Sequence, residues 1–238
     1  MLTLDNVSAQ ATNSGPLLVD INLTLQPGEI HAVMGPKNSG KSALAHIIMG
    51  HPDLEISKGV ITYNDNIIND TPVVERSKNG IYLSFQHPPE FEDIRNWELL
   101  KDCYDLKKSE IDDMRLRFDA CSELLGLGKN HGDIFIDSLT PAEVKINELI
   151  FMMLSNPSLI MLDEIDEGLD EADLNQVGVI LKDYLKDNSR SCLIVTRNRK
   201  FLDIIQPTNV HIMAEGEIQM SGQTELYKRI VEDGYSEF

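Results

Sequence analysis

The chain has 238 residues, 42% hydrophobic and 25% charged, enough to bury a core as one domain or as a core domain with an insertion. Acidic residues outnumber basic ones 39 to 21, a net charge of −18, which argues against broad contact with nucleic acid or an anionic membrane. No apolar run reaches bilayer-spanning length, the first residues lack a signal-peptide pattern, and Cys103, Cys121 and Cys192 show no C-x-x-C spacing. The reading is a soluble, cytoplasmic protein with buried free thiols and neither a disulfide framework nor a metal cluster.

Residues 2 to 30 alternate apolar and polar positions, with Leu2, Leu4 and Val7, then Leu18, Ile21, Leu23 and Leu25, broken by Asn13-Ser14-Gly15-Pro16 and Gln26-Pro27-Gly28. That pattern predicts antiparallel strands joined by turns. No aromatic residue precedes Tyr63, so a nucleotide base held beside this sheet is expected to rest on aliphatic side chains, with loose selectivity. The run Glu29 to Met34 predicts a buried strand and Lys41 to Met49 a helix. Between them Gly35-Pro36-Lys37-Asn38-Ser39-Gly40-Lys41-Ser42 fills every fixed position of the phosphate-binding loop G-x-x-x-x-G-K-[ST]. The glycines let successive N–H groups point at phosphate oxygens, and the helix start aims its positive dipole end at the same anion. Lys41 supplies a charge for the β- and γ-phosphates and Ser42 a hydroxyl for Mg²⁺; Ala43 closes the binding segment.

Gly59 to Ile68 reads as a hairpin, and Gly80 to Phe85 as a strand delivering Gln86, whose side chain can reach Mg²⁺ or its water. From His87-Pro88-Pro89 the texture changes to helical spacing over 92–127, the mark of an inserted helical subdomain. Thr140-Pro141-Ala142-Glu143 opens a further helix running to about Ser155, with Thr140 as N-cap, Pro141 at the first position and Glu143 completing a capping box. Ser158 to Glu164 is an apolar strand ending in a carboxylate pair about 120 residues beyond the loop. Such a run alone is a buried strand meeting solvent; paired with the loop, it carries Asp163 to Mg²⁺ and Glu164 to the attacking water. Leu174 to Leu185 predicts an amphipathic helix, Ser191 to Thr196 a buried strand, and Asn209 to Ser221 a hairpin turning near Glu215-Gly216. This alternation predicts an α/β fold with a mainly parallel sheet flanked by helices.

With the loop, Gln86, Leu139 to Glu143, Asp163-Glu164 and Gly168-Leu169-Asp170 in this order, the chain resembles an ATP-binding-cassette (ABC) ATPase throughout its length. Within that family it is most similar to the SufC branch, the soluble ATPases of the SUF iron–sulfur cluster assembly machinery. Phe85-Gln86-His87-Pro88, the helix with Glu143, Lys145, Asn147, Glu148 and Leu149, the linker Glu164 to Asp170, and Glu232-Asp233-Gly234-Tyr235 carry the narrower resemblance. Transporter ATPases usually have Pro-Thr where Ile165-Asp166 stand. The resemblance implies a P-loop NTPase core of RecA type over 1–86 and 156–238, with an antiparallel sheet at its amino-terminal end and a helical subdomain over 87–155. It implies ATP and Mg²⁺ as cofactors, a head-to-tail dimer with each nucleotide between the loop of one subunit and the signature motif of the other, and a scaffold partner like SufB with SufD.

Two departures bear on the chemistry. The family's signature is normally Ser-Gly-Gly-Glu/Gln; Thr140-Pro141-Ala142-Glu143 keeps a hydroxyl, but Pro141 has no N–H and Ala142 adds a Cβ where close approach is wanted. After Val195 the family places a γ-phosphate histidine where Thr196-Arg197 stand, and Arg197 can pair with phosphate without reproducing a switch. Slow hydrolysis is expected, with Glu164, Lys41, Gln86 and Arg197 as the catalytic set. Three readings follow: a working SUF-type ATPase, a nucleotide-holding structural or regulatory subunit, and the cassette of a membrane transporter.

Overall fold

The computed structural model describes residues 1–12, 15–84, 92–104, 107–233 and 235, with backbone alone for 231–233. Strands β1 (Leu2–Ala11) and β2 (Pro16–Leu25) pair antiparallel, while β3 (Ile30–Met34) enters a second sheet and leads into α1 (Lys41–Met49). β4 (Leu54–Tyr63) and the short β5 (Asn66–Ile67) complete a four-stranded antiparallel sheet ordered β2-β1-β4-β5. α2 (Val73–Lys78) and β6 (Ile81–Ser84) return the chain to the second sheet. Next come α3 (Asn96–Tyr104), α4 (Ile111–Leu124), two 3-10 turns (Lys129–Asp133 and Ile136–Ser138) and α5 (Pro141–Ser155). The alternation resumes with β7 (Leu159–Asp163), α6 (Glu171–Tyr184), β8 (Ser191–Val195), α7 (Arg199–Ile205), β9 (Asn209–Ala214), β10 (Glu217–Gly222) and α8 (Thr224–Asp233).

The second sheet has six strands ordered β10-β9-β3-β8-β7-β6, parallel except for β10. Its central strands are apolar on both faces, as a sheet covered on both sides requires. Leu159 and Met161 of β7 pack with α1 and the antiparallel sheet, whereas Ile160 and Leu162 face the cluster built from α5, α6 and α7. α1 is therefore clamped between the two sheets, with Leu44, Ile47 and Ile48 at most 2% exposed. Each such side chain contributes about 1.5–3 kcal/mol of burial.

The α/β fold expected from the sequence is the fold observed. α2, α7 and α8 are additions to the elements read from periodicity. One expectation needs correction: of the three cysteines only Cys192 is buried, Cys121 is partly covered and Cys103 is exposed, lying in the last turn of α3 beyond the buried Asn96 and Leu100. All three thiols are free.

Two buried polar arrangements have no signal in the sequence pattern. Arg76, 2% exposed, donates to the carbonyls of Ile47 and Ile48 at the end of α1 and to those of Ile68, Asn69 and Thr71. It thereby caps α1, whose other end is the phosphate-binding loop, with a cation at the negative end of the helix dipole. Replacing it, Arg76→Met, strands these carbonyls and is expected to cost about 3 kcal/mol or more, read as a lower urea midpoint.

The second is a chain of hydrogen bonds between β3 and β9. Glu29 Oε2 lies 3.0 Å from His31 Nε2, His31 Nδ1 lies 2.9 Å from His211 Nε2, and His211 Nδ1 lies 2.7 Å from Ser221 Oγ. With both rings neutral every bond has one donor: Ser221 donates to His211, His211 to His31, and His31 to Glu29. Burial pushes both imidazoles down, His211 to about 4, with the neighbouring His31 adding to the fall and Glu29 opposing it. A depressed histidine leaves the unfolded chain binding the extra proton, so stability falls as pH drops below the unfolded value near 6.5. The urea-unfolding free energy should lose roughly 2 kcal/mol from His211 between pH 7 and pH 5, and a His31→Gln, His211→Gln variant should show a shallower slope over that window.

Candidate nucleotide site

β3, β8 and β7 are adjacent and parallel, with Val33 paired to Val195 and Val195 to Asp163. Their carboxyl ends therefore bring together the loop 35–42, Thr196-Arg197 and Asp163-Glu164, the crevice where open α/β sheets bind ligands. The cleft there measures ≈ 380 Å³, walled by Lys37 to Ala43 together with Leu17, Glu164 and Arg197.

The loop runs where a side chain has no room. Gly35 has φ +154° and a Cβ on it would lie 2.1 Å from the Met213 carbonyl oxygen; Gly40 has φ +98° and a Cβ would lie 2.9 Å from that of Leu17. Gly216, at the β9–β10 turn, donates its N–H to Ser39 O at 3.1 Å and holds the loop from above. Lys41, the first residue of α1 and 6% exposed, donates from Nζ to the carbonyls of Gly35 (3.1 Å) and Pro36 (2.6 Å) and to Ser39 Oγ (3.2 Å). Burial pushes its pKa down, opposed by the nearby Glu164 and Asp163 carboxylates, while Arg197 adds to the fall. Lys41 lies among those polar oxygens at the cleft wall, where an entering phosphate can compete for it.

Ser42 Oγ donates to Asp163 Oδ1 at 3.1 Å, and Asp163 is fully buried with its N–H donating to Ser84 Oγ at 3.3 Å. A serine hydroxyl beside a buried carboxylate is the hard-oxygen set that Mg²⁺ takes. His46 Nε2 stands 4.0 Å from Asp163 Oδ2. Sequence reasoning passed over Ser84 and His46; the place of Ser84 near the end of β6 was the available signal.

Glu164 sits in a left-handed conformation, φ +49°, with its N–H donating to Val195 O at 2.9 Å. Its carbonyl accepts from the buried Lys145 Nζ of α5 at 2.7 Å, so the backbone is held from both sides. The carboxylate lies 3.6 Å from Arg197 Nε. Burial raises its pKa first, Arg197 opposes the rise, and Glu167 and Asp163 add to it, which makes the carboxylate a stronger base. Asp166, 9% exposed, is likewise raised by burial, with the Thr196 hydroxyl opposing.

The structure thus collects Lys37 to Ala43, Asp163, Glu164 and Arg197 in one place, with Gly35 and Pro36 lending carbonyls to Lys41. Gln86 lies outside the described residues, as do Phe85, His87 and Pro88. Thr140 and Glu143 lie apart from the cleft wall, at the exposed start of α5. There the capping box forms: Thr140 Oγ1 accepts the Glu143 N–H at 3.2 Å and Glu143 Oε2 accepts the Thr140 N–H at 2.8 Å.

Sheet, loop and carboxylate pair define a P-loop nucleotide-binding α/β protein. The sequence pattern of the family described as "ABC transporter" matches residues 18–167. Vegetative protein 296 of Bacillus subtilis is 34% identical over 92% of this chain and 86% of its own length. A "Probable ATP-dependent transporter", slr0075 of Synechocystis, is 34% identical over 99% of this chain and 94% of its own. The fold superposes on the ATP-binding cassette MJ0796, solved as a dimer bound to ADP and Pi, with TM-score 0.81 at 18% identity over 94% of this chain and 98% of that one. A nucleotide-free cassette from an ABC transporter gives TM-score 0.79 at 22% identity, covering 98% and 96%. The chain belongs to the ABC transporter family, as an ATP-binding cassette of the kind that binds and hydrolyses ATP. No helix among the described residues is long and apolar enough to cross a membrane.

Gly35→Ala tests the loop's confinement. The Cβ cannot coexist with the Met213 carbonyl, so the variant is expected to lose about 2 kcal/mol or more of stability and to bind nucleotide weakly, measured by thermal denaturation and titration calorimetry.

Proposed function

We propose that this chain is a cytoplasmic SufC-like ABC subunit that couples ATP binding and slow hydrolysis to a conformational change in an iron–sulfur cluster assembly scaffold of SufB/SufD type. The observation that carries the ATPase reading is the convergence of Lys41, Ser42, Asp163 and Glu164 on one cleft. In this reading the loop 35–42 with Ala43 holds the phosphates, and Ser42 and Asp163, with Gln86, hold Mg²⁺, which bridges the phosphates and offsets their charge. Glu164 accepts the proton of the attacking water, and Arg197 meets the γ-phosphate. Residues 1–86 and 156–238 act as the core and 87–155 as the moving helical unit. Support for the SufC branch lies in Lys145, Ile165 and Asp166, which meet beneath Glu164: Lys145 holds its carbonyl, and Ile165 and Asp166 are buried beside it.

Slow turnover follows from the start of α5. Pro141 has no N–H and Thr140 already takes that of Glu143, so only Ala142 keeps a first-turn N–H for a phosphate across a head-to-tail dimer, and the Glu143 carboxylate stands beside it. A second ABC subunit with an intact signature would complete this chain's own loop, and a heterodimer meets that need. The names of the relatives favour a second reading, the cassette of a membrane transporter.

Steady-state ATP hydrolysis with Mg²⁺ tests the first reading. Turnover should be slow, vanish in Glu164→Gln, and rise about 10²-fold or more in a Pro141→Gly, Ala142→Gly, Arg197→His variant. No gain in that variant contradicts the explanation of slowness. Co-purification with a soluble scaffold supports the SUF reading, and co-purification with a membrane protein supports the transporter reading.

A further inference from the structure

The ending Glu232-Asp233-Gly234-Tyr235 is a motif that the nucleotide reading leaves unused, yet its last residue returns to the phosphate loop. α8 is firmly docked: Leu226, Tyr227 and Ile230 are at most 8% exposed, and Tyr227 Oη donates to Asp203 Oδ1 of α7 at 2.8 Å. Tyr235 stands two residues past the end of α8, half-buried, and packs on the apolar cluster that contains Ala32 and Met34 of β3. Met34 is the residue before Gly35. The main-chain bonds between β3 and β8 run as far as Thr196, whose N–H donates to Val33 O at 3.3 Å. Just beyond that rung the Gly35 N–H donates to the Tyr235 hydroxyl, with Arg197 within electrostatic reach. Burial raises the pKa of this phenol, opposed by the Gly35 N–H and then by Arg197, so at neutral pH it stays an uncharged hydroxyl.

Gly35 is thus held from several sides. The Met213 carbonyl leaves no room for a Cβ on it, its own carbonyl accepts from Lys41 Nζ at 3.1 Å, and its N–H is taken by Tyr235. The loop N–H groups that face phosphate follow Gly35 in the chain, so the direction in which this peptide leaves β3 sets where those donors point. We infer that Tyr235 is a positioning residue of the nucleotide site: its hydroxyl, anchored through α8, fixes the peptide that enters the phosphate loop, so that the loop is shaped before ATP arrives. The inference rests on the nucleotide reading of the cleft and adds to it a residue that acts through the loop backbone. A loop set in advance binds more tightly because less ordering is left to the binding step. Tyr235→Phe keeps the ring and removes the hydrogen bond, which lowers affinity by about three- to tenfold.

Two measurements on the wild-type chain and on Tyr235→Phe, both shown to be folded by circular dichroism, test this: amide hydrogen exchange at Gly35, followed by NMR without nucleotide, and equilibrium binding of ATP and of inorganic tripolyphosphate, each with Mg²⁺. In Tyr235→Phe the Gly35 amide should exchange about tenfold faster or more, and the dissociation constant for ATP should rise by about three- to tenfold. Tripolyphosphate should weaken by a similar factor, because the loop meets only the phosphates. A Tyr235→Phe chain with wild-type exchange and wild-type affinity would reduce Tyr235 to a packing residue and overturn the inference, leaving the nucleotide reading intact. Faster exchange without weaker binding, or weaker binding without faster exchange, would overturn it as well. A folded wild-type chain that binds neither ATP nor tripolyphosphate would overturn the nucleotide reading and the inference together.

Discussion

Close approach of bare backbone at the phosphate loop is the constraint on which the rest of the molecule depends. Three segments meet there: the end of β3 at Gly35, the start of β2 at Leu17, and the β9–β10 turn at Gly216. Each comes from a different part of the chain, and they can touch only because glycine stands at every crossing. The antiparallel sheet and the parallel sheet are fastened together at this point, with α1 filling the space behind it. A site built this way is rigid before a ligand arrives, which lowers the ordering cost of binding.

The buried cations show how an acidic chain manages its interior. Lys41, Arg76 and Lys145 are each at most 8% exposed, and each donates to main-chain carbonyls: those of Gly35 and Pro36 (Lys41 also to Ser39 Oγ), of the end of α1 and its neighbours, and of Glu164. Carbonyl dipoles offset the cost of burying these charges. Ser42 donates to Asp163, and Arg197 Nε lies 3.6 Å from the Glu164 carboxylate. The three cations also tie together the parts that function requires to stay in register, namely the loop, the far end of the helix behind it, and the backbone of the carboxylate candidate.

The start of α5 reads differently from the loop. Both are helix amino termini, yet Gly40 leaves the first turn of α1 bare toward the cleft, whereas Thr140 and Glu143 close the first turn of α5 on itself. A capped helix end is stable and has little left to offer an anion. The same residues that make α5 easy to recognise make it a poor partner for phosphate, and the proposed need for a second, intact subunit rests on that exchange.

How much was legible beforehand varied with the physics of each element. The loop and α1 could be read outright because motif chemistry and helix spacing occupy consecutive residues, and the capping box because it needs only four positions. The strands were visible for the same reason, their apolar runs marking burial on both faces of a parallel sheet. The short helices α2 and α7 escaped because fewer than two full turns leave too little periodicity to detect. Cys103 was misplaced because its spacing fits the stripe of Asn96 and Leu100, while its position in the last turn of α3 leaves it exposed. Sequence alone determined which groups the site can offer: a glycine-bearing loop with Lys41 and Ser42, the carboxylate pair Asp163-Glu164, and the motif positions that had departed. Tertiary structure decided what those residues face. Ser84 beneath Asp163, Lys145 on the Glu164 carbonyl, Leu17 over Gly40 and the His31–His211 bond between residues 180 apart all depend on the register of strands distant in the chain, which no local pattern encodes.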